Sequence, residues 1–403
     1  MQTFTYKAKD AKTGKHIKAK VQADNEQSAS KLISGQGLTP LEIKVDKQRS
    51  FGLNRIKAKD KVLFSRQLST LINAGLPLVQ ALRSVAGQTT NKALAAVINQ
   101  VIMSVEAGTA LSKALAEHPK VFNRVYISLV EASETSGTLD KGLERLADQQ
   151  EKDADIVSKV RGALIYPLIV LMVMIAVVVF MLVKVLPQVQ SIYSTLPGVS
   201  LPFVTRLLLG TSHILIKYWF FIFIILAVLA FFGSRWVRTM GGRRVVDKVK
   251  MRAWPLGKLY MKLYMARFSR TGTTLVAAGV PVLKVLEITA EAVDNVYISD
   301  SIHRAIEEVK GGKALSDALD NDPNFLILVP NMLRIGEQSG AMETMLAKIA
   351  DYYEKEVDNE IKAISTIIEP VMMILMGVVA LTIVAAILLP IYGLVNQSGF
   401  NGN

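Results

Sequence analysis

The sequence contains no cysteine and only four histidines. Disulfides and thiolate metal sites are therefore excluded, redox compartment cannot be read from pairing, and the scattered histidines form no ligand cluster. No Gly-x-x-x-x-Gly-Lys-Ser/Thr phosphate loop occurs, so the chain is not expected to hydrolyse nucleotide itself. No Ser/His/Asp or zinc arrangement is visible either, and no cofactor is expected. The opening Met1-Gln2-Thr3-Phe4-Thr5-Tyr6-Lys7 lacks the apolar core of a secretory signal, so the first segment is expected in the cytoplasm. The long apolar runs carry no ionisable group at their centres, which argues against a transport path.

What is present is basic charge, apolar length and repetition. The net charge of +13 fits nucleic acid, an anionic membrane surface or acidic partners. Phe64-Ser65-Arg66 through Gly75-Leu76-Pro77 returns as Phe268-Ser269-Arg270 through Gly279-Val280-Pro281. The offset of about 204 residues persists, slipping by about one later on, and so marks an internal duplication. Ala110-Leu111-Ser112 returns as Ala314-Leu315-Ser316, Glu134-Thr135-Ser136-Gly137 as Glu337-Gln338-Ser339-Gly340, and Pro167 and Pro187 as Pro370 and Pro390.

In chain order, residues 1–45 read as a small α+β domain. Phe4, Tyr6 and Ala8 alternate with polar residues, as do Ile17, Ala19 and Val21. Asn25 can cap a short helix carrying Ala29, Leu32 and Ile33, and Leu41 to Val45 makes a last strand. Residues 46–56 look like a basic linker. Residues 58–165 read as a helical bundle whose first helix presents Phe64, Leu68, Leu71 and Ile72 on one face. Such short amphipathic helices bury their apolar faces only by packing together. The last helix, from near Leu139, meets no strong stop before Pro167 and is expected to run on into the membrane.

The run 168–186 is long enough for a transmembrane helix, roughly 28 Å at 1.5 Å per residue. A Pro-bearing loop is expected over 187–212, a second span over 214–232, a second bundle over 256–365, a third span over 371–389 and a short tail over 390–403. Between span two and bundle two lie Arg235, Arg238, Arg243, Arg244, Lys248, Lys250, Arg252, Lys258 and Lys262, opposed only by Asp247. The loop after span one holds only Arg206. The positive-inside rule then places both bundles in the cytoplasm and the 187–212 loop and tail outside. Next to a span, anionic lipid is a simpler partner for the basic stretch than nucleic acid. The fold class is thus an all-α membrane protein: two duplicated cytoplasmic helical bundles and three transmembrane helices, with a small α+β N-terminal domain.

Arg66 and Arg270 sit at matching places beside an apolar helix face. They read as surface arginines, as intradomain ion pairs, or as partner contacts. Glu134 and Glu337 precede the Gly137 and Gly340 turns, and read as solvated side chains, as caps of a neighbouring helix, or as partner contacts. Glu369, at the mouth of span three where the other repeat has Tyr166, is a further candidate for an oligomer interface.

These features together resemble the type IV pilus platform protein and type II secretion F protein family (PilC/GspF). The likeness rests on Phe4-x-Tyr6-Lys7-Ala8-x-Asp10 with Gly37-Leu38-Thr39-Pro40, the doubled Phe-Ser-Arg and Ala-Gly-x-Pro motifs, the doubled Glu-x-Ser-Gly turns and the order of the spans. It covers the chain to about residue 395. Repeat one departs from the usual form at Ser133, where repeat two has Gly336. The resemblance implies a non-enzymatic platform in the bacterial inner membrane. Its expected partners are a cytoplasmic hexameric assembly ATPase, pilin or pseudopilin subunits, other inner-membrane assembly proteins and further copies of itself. Pilus, secretion and DNA-uptake versions stay open, and the rival from another class is an oligomeric transporter.

Overall fold

The computed structural model describes residues 2–10, 16–23, 30, 38–45, 56–194 and 203–398. The chain divides into two compact units, Met1–Ile56 with Asn91–Ala93, and Lys57–Thr90 with Leu94–Asn403. In the first, strands β1 (Gln2–Asp10), β2 (His16–Ala23) and β3 (Leu38–Val45) form an antiparallel sheet in the order β2-β1-β3. The alternating positions fall in register: Phe4 opposite Val21 and Val45, Tyr6 opposite Ala19 and Ile43. A shift between Lys7 and Ala8 skips Leu41 and sets Pro40 opposite Ala8, a bulge beside a residue with no N–H to give the ladder. The short helix expected after Asn25, with Ala29, Leu32 and Ile33, and residues 46–55 of the basic linker lie outside the described residues.

The second unit is helical. Its first repeat comprises α1 (Ala58–Asn73), α2 (Leu78–Gln88), α3 (Lys92–Glu106), α4 (Leu111–Ala116), α5 (Arg124–Thr135) and α6 (Leu139–Phe180). A five-residue π-helical stretch, Met181–Val185, joins α6 to α7 (Leu186–Ser194), and α8 spans Phe203–Trp236. Helix α9 (Met240–Arg252) carries much of the basic run. The second repeat follows as α10 (Leu256–Ala277), α11 (Val282–Ala292), α12 (Val296–Lys310), α13 (Leu315–Leu319), α14 (Leu328–Ser339) and α15 (Met342–Ser398). Helices α1 to α6 and α10 to α15 correspond one to one.

The apolar periodicity builds matching cores. Phe64 lies 5.8 Å from Phe122 between ring centroids, and Phe268 lies 5.2 Å from Phe325. All four rings are buried, each burial contributing about 1.5–3 kcal/mol. Among the described residues, three helices are long and apolar enough to cross a membrane, within Leu139–Gln188, Arg206–Trp236 and Met342–Leu388. Their apolar side chains, Phe220, Phe223, Ile374 and Leu381 among them, face outward from the protein, as lipid-facing residues do.

The helices outrun the apolar stretches. Residues 187–194 and 203–212, expected within a loop, are helical, the first stretch through Pro187, and α15 continues through Pro390 to Ser398, where a tail was expected. At Pro187 the reason lies in the π-helical turn. The Leu186 N–H bonds to the Met181 carbonyl, five residues back, which leaves the Leu182 carbonyl to Pro187, a residue with no donor. The buried Ser212 hydroxyl of α8 donates to that carbonyl instead. A side-chain donor thus satisfies the group the proline orphans, and the helix passes through.

Candidate functional site

The duplicated motifs form the same two devices in each bundle. On α1, Arg66 forks onto α6: Nε donates to Glu151 Oε1 at 2.6 Å and Nη2 to Asp148 Oδ1 at 2.5 Å. On α10, Arg270 reaches α15 in the same way, Nε to Glu354 Oε1 at 2.7 Å and Nη2 to Asp351 Oδ1 at 2.5 Å. Each arginine therefore clamps the first helix of its bundle to the helix that enters the membrane. Hydrogen bonds that it donates to Glu151 and Asp148 hold the Arg66 guanidinium above its ordinary range. Burial pulls the Arg270 guanidinium down, but its bonds to Glu354 and Asp351 outweigh that and leave it raised. Both clamps are ion pairs inside a bundle, one of the readings the sequence allowed.

The glutamates are caps. Helix α4 begins after Ala110, which has no side-chain acceptor for the first orphan N–H groups. Glu134, reaching from α5, accepts from Leu111 N at 2.7 Å, Ser112 N at 3.1 Å and Ser112 Oγ at 2.7 Å. Glu337 accepts from Leu315 N at 2.6 Å, Ser316 N at 3.2 Å and Ser316 Oγ at 2.5 Å. The anionic end sits at the positive end of the helix it holds. Gly137 and Gly340 follow at φ 69° and 66°, left-handed positions that end α5 and α14 without the strain a Cβ adds. Glu369 is exposed on α15. It lies about 27 Å along the helix from Asp351 at 1.5 Å per residue, so it is not gathered with the other candidates.

Sequence reasoning missed the seam between the bundles. The α5–α6 face of the first packs on the α10–α11 face of the second. Arg124 pairs with Glu291, and Lys284 Nζ lies 3.2 Å from Glu131 Oε2. Arg145 Nη1 donates to the Ala277 carbonyl at 2.6 Å, and Gln149 Nε2 to Thr271 Oγ1 at 3.2 Å. A polar cavity of about 220 Å³ lies in the seam, walled by Val125, Leu146, Gln149 and Asp153 on one side and Arg267 and Thr271 on the other. Farther along, Lys152 reaches Glu354 at 3.3 Å and Lys159 reaches Asp358 at 2.9 Å, so α6 and α15 run side by side in the same direction toward their spans.

The basic run is partly spent inside the fold. Arg243 pairs with Asp294, Arg244 with Asp300 at 3.6 Å, and Lys262 with Glu356 at 2.9 Å and Glu360 at 2.6 Å. Burial lowers the Lys262 ammonium, yet those two carboxylates raise it by more. Asp247, the lone acid of the stretch, is buried and accepts from Val296 N at 3.0 Å. It caps α12, which its neighbours in sequence gave no way to see. Arg238, Lys248, Arg252 and Lys258 are exposed and without an ion pair among the described residues. No group of three or more His, Cys, Asp or Glu that could hold a metal ion occurs among the described residues.

Fold and devices together define a membrane protein of two repeated helical bundles, each continuous with its own span. The profile described as type II secretion system (T2SS), protein F matches this chain twice, over residues 64–187 and 268–390. The profile for the N-terminal domain of the same protein F matches residues 1–44. The chain is 38% identical over 404 residues to the type IV pilus assembly protein PilC of Thermus thermophilus, with 98% of each chain covered. It is 35% identical to PilC of Myxococcus xanthus, over 97% of this chain and 94% of that one. It is 32% identical to the type II secretion system protein F of Vibrio cholerae, over 97% of this chain and 98% of that one. This chain belongs to the type II secretion system protein F family.

Proposed function

We propose that this protein is the inner-membrane platform of a type IV pilus, and that it couples a cytoplasmic ATPase to insertion or extraction of pilin subunits without catalysing a reaction itself. The observation that carries the reading is mechanical. Helices α6 (Leu139–Phe180) and α15 (Met342–Ser398) each run unbroken from a bundle into an apolar span. The Arg66 and Arg270 clamps tie the first helix of each bundle to these two helices. A displacement imposed on a bundle is thereby delivered into the bilayer, because a helix transmits motion along its axis when no loop interrupts it.

In this reading the N-terminus, both bundles and the basic α9 lie in the cytoplasm, and the exposed, unpaired Arg238, Lys248, Arg252 and Lys258 meet anionic headgroups. Glu134, Gly137, Glu337 and Gly340 keep the surface that meets the ATPase in shape, and Glu369 lies where a neighbouring helix or pilin would meet span three. Two relatives named for pilus assembly, at 38% and 35% identity, stand above the secretion relatives at 32% and 33%, although two other pilus-assembly relatives lie at 31% and 32%. Those first two relatives alone favour the pilus over the pseudopilus of a secretion system.

The test is to insert a flexible glycine linker at Gly162, between bundle one and its span. The expected result is ATPase activity retained with fibre growth lost. Normal piliation in that strain would overturn the coupling. Deletion of the gene separates the versions: lost surface fibres mark the pilus, fibres intact with secreted proteins trapped mark the secretion system. Flux through liposomes holding this chain alone would favour a transporter.

A further inference from the structure

The seam between the bundles joins unlike faces, and each of those faces has an equivalent on the other bundle that is unoccupied among the described residues. The α5–α6 face of bundle one corresponds through the repeat to the α14–α15 face of bundle two. The α10–α11 face of bundle two corresponds to the α1–α2 face of bundle one. In the seam cavity, bundle one supplies Val125, Leu146, Gln149 and Asp153. Their repeat equivalents, Leu328, Ile349, Tyr352 and Glu356, wall an open groove of about 560 Å³ on bundle two. The seam cavity is closed from the far side by Arg267 and Thr271. Among the described residues the groove has no such far wall, and the equivalents of those two residues, Leu63 and Gln67, lie on α1 with Leu63 52% exposed.

We propose that a second copy of this chain docks its α1–α2 face into the α14–α15 groove, repeating between molecules the contact that joins the two bundles within one. The substitutions between repeats fit burial of both free faces. Where the seam has the Arg124–Glu291 pair, the free faces have Ile327, 76% exposed, and Gly87. Where it has Gln149 and Arg267, they have Tyr352 and Leu63, both exposed. Where it has Glu131 and Lys284, they have Arg334, already held by Asp317 and Asp320, and the neutral Gln80. Glu356 is likewise neutralised by Lys262 within its own bundle. Lys348, which also lines the groove and has no ion pair among the described residues, stands where Arg145 donates to the Ala277 carbonyl across the first seam. Closing the second seam therefore buries apolar surface with the groove's other charges, Lys262 and Glu356, already paired to each other.

The symmetry suits a membrane. A contact between unlike faces propagates head to tail and closes into a ring when the rotation permits. Helices α6 and α15 run in the same direction side by side, with Lys152 against Glu354 and Lys159 against Asp358. The rotation relating the bundles therefore lies close to the direction of their spans, so added copies stay in the plane of the bilayer. This inference stands on the repeat geometry and does not depend on which fibre the protein serves.

The absence of cysteine makes the test direct. Full-length protein in bacterial membranes carries Gln67→Cys, Tyr352→Cys, or both, and is oxidised. A control chain carries Gln149→Cys with Thr271→Cys, whose intrachain link reports a correctly folded seam. The expected result is a ladder of linked copies from the double variant, monomer from either single variant, and dimers alone when the two singles are co-expressed. Adding Ile327→Asp to the double variant should cut the linked fraction about tenfold, because a charge would be buried in the groove. The same substitution in the control chain should leave its intrachain link intact. Strong dimers from Tyr352→Cys alone, linkage of the Tyr352→Cys variant to a different protein, or monomer throughout with the intrachain link formed would each overturn the proposal.

Discussion

The two bundles have one skeleton and solve one packing problem in opposite ways. In bundle one, Ser133 of α5 is buried against Gly142 of α6, and a Cβ at Gly142 would sit 1.8 Å from the Ser133 Oγ. In bundle two the equivalent positions are Gly336 and Met345, and a Cβ at Gly336 would come within 3.2 Å of the Met345 side chain. Bundle one thus puts the small residue on the membrane-entering helix, and bundle two puts it on the helix before. The departure at Ser133 is half of a compensated exchange: close-packed interiors conserve volume across a contact rather than identity at a site. By contrast, the arginine clamp and the glutamate cap are the same in both, because a fixed donor set admits fewer substitutes than a volume does.

The largest effect should come from crossing the two solutions. Gly142→Met against an unchanged Ser133 should destabilise the protein by about 3 kcal/mol, read as a fall in the thermal unfolding midpoint in detergent. Adding Ser133→Gly should recover most of that loss. Strictly additive changes would show that the two residues do not share one space. Next in size, Glu134→Ala and Glu337→Ala should each cost about 2 kcal/mol, since each removes an anionic acceptor from two backbone N–H groups and a hydroxyl. Hydrogen exchange should speed up at Leu111 and Ser112 in the first variant and at Leu315 and Ser316 in the second. A markedly smaller loss in one bundle would mean that a substitute cap forms there.

Much of this architecture was legible in sequence because helical periodicity and duplication are local or self-referential signals. Phe64 and Leu68 announce a core face, and the return of Phe-Ser-Arg announces a second bundle. The glutamate caps were among the readings allowed, since Glu-x-Ser-Gly stands just before a turn. Three things could not be read. Passage of the helix through Pro187 depends on Ser212, a residue of α8 that brings a hydroxyl to the Leu182 carbonyl; the usual stop signal assumes that no such donor arrives. Asp247, the lone acid of the basic stretch, is a buried cap for α12, a role set by which helix packs on it. The seam was invisible because periodicity says that a face is apolar or polar, not which other face it meets.

The smallest and most discriminating contrast lies in the clamps. Arg66 is about one-third exposed and bonds only within its own bundle, while Arg270 is 17% exposed and shares Asp351 and Glu354 with Lys152 of the other. Arg66→Ala should therefore cost under about 1 kcal/mol, with the deficit shrinking as salt is raised, because an exposed pair is weak and readily screened. Arg270→Ala should cost more, about 1–2 kcal/mol, since its carboxylate partner Glu354 is itself largely buried. Lys152 stays within 3.3 Å of Glu354 and absorbs part of that loss. Adding Lys152→Met to Arg270→Ala should therefore cost more than the two single losses combined, whereas adding it to Arg66→Ala should be additive. Unfolding midpoints of the six proteins, measured at low and high salt, decide the matter. Equal coupling in both backgrounds would mean that Lys152 does not bridge the bundles, and that the two clamps differ only in exposure.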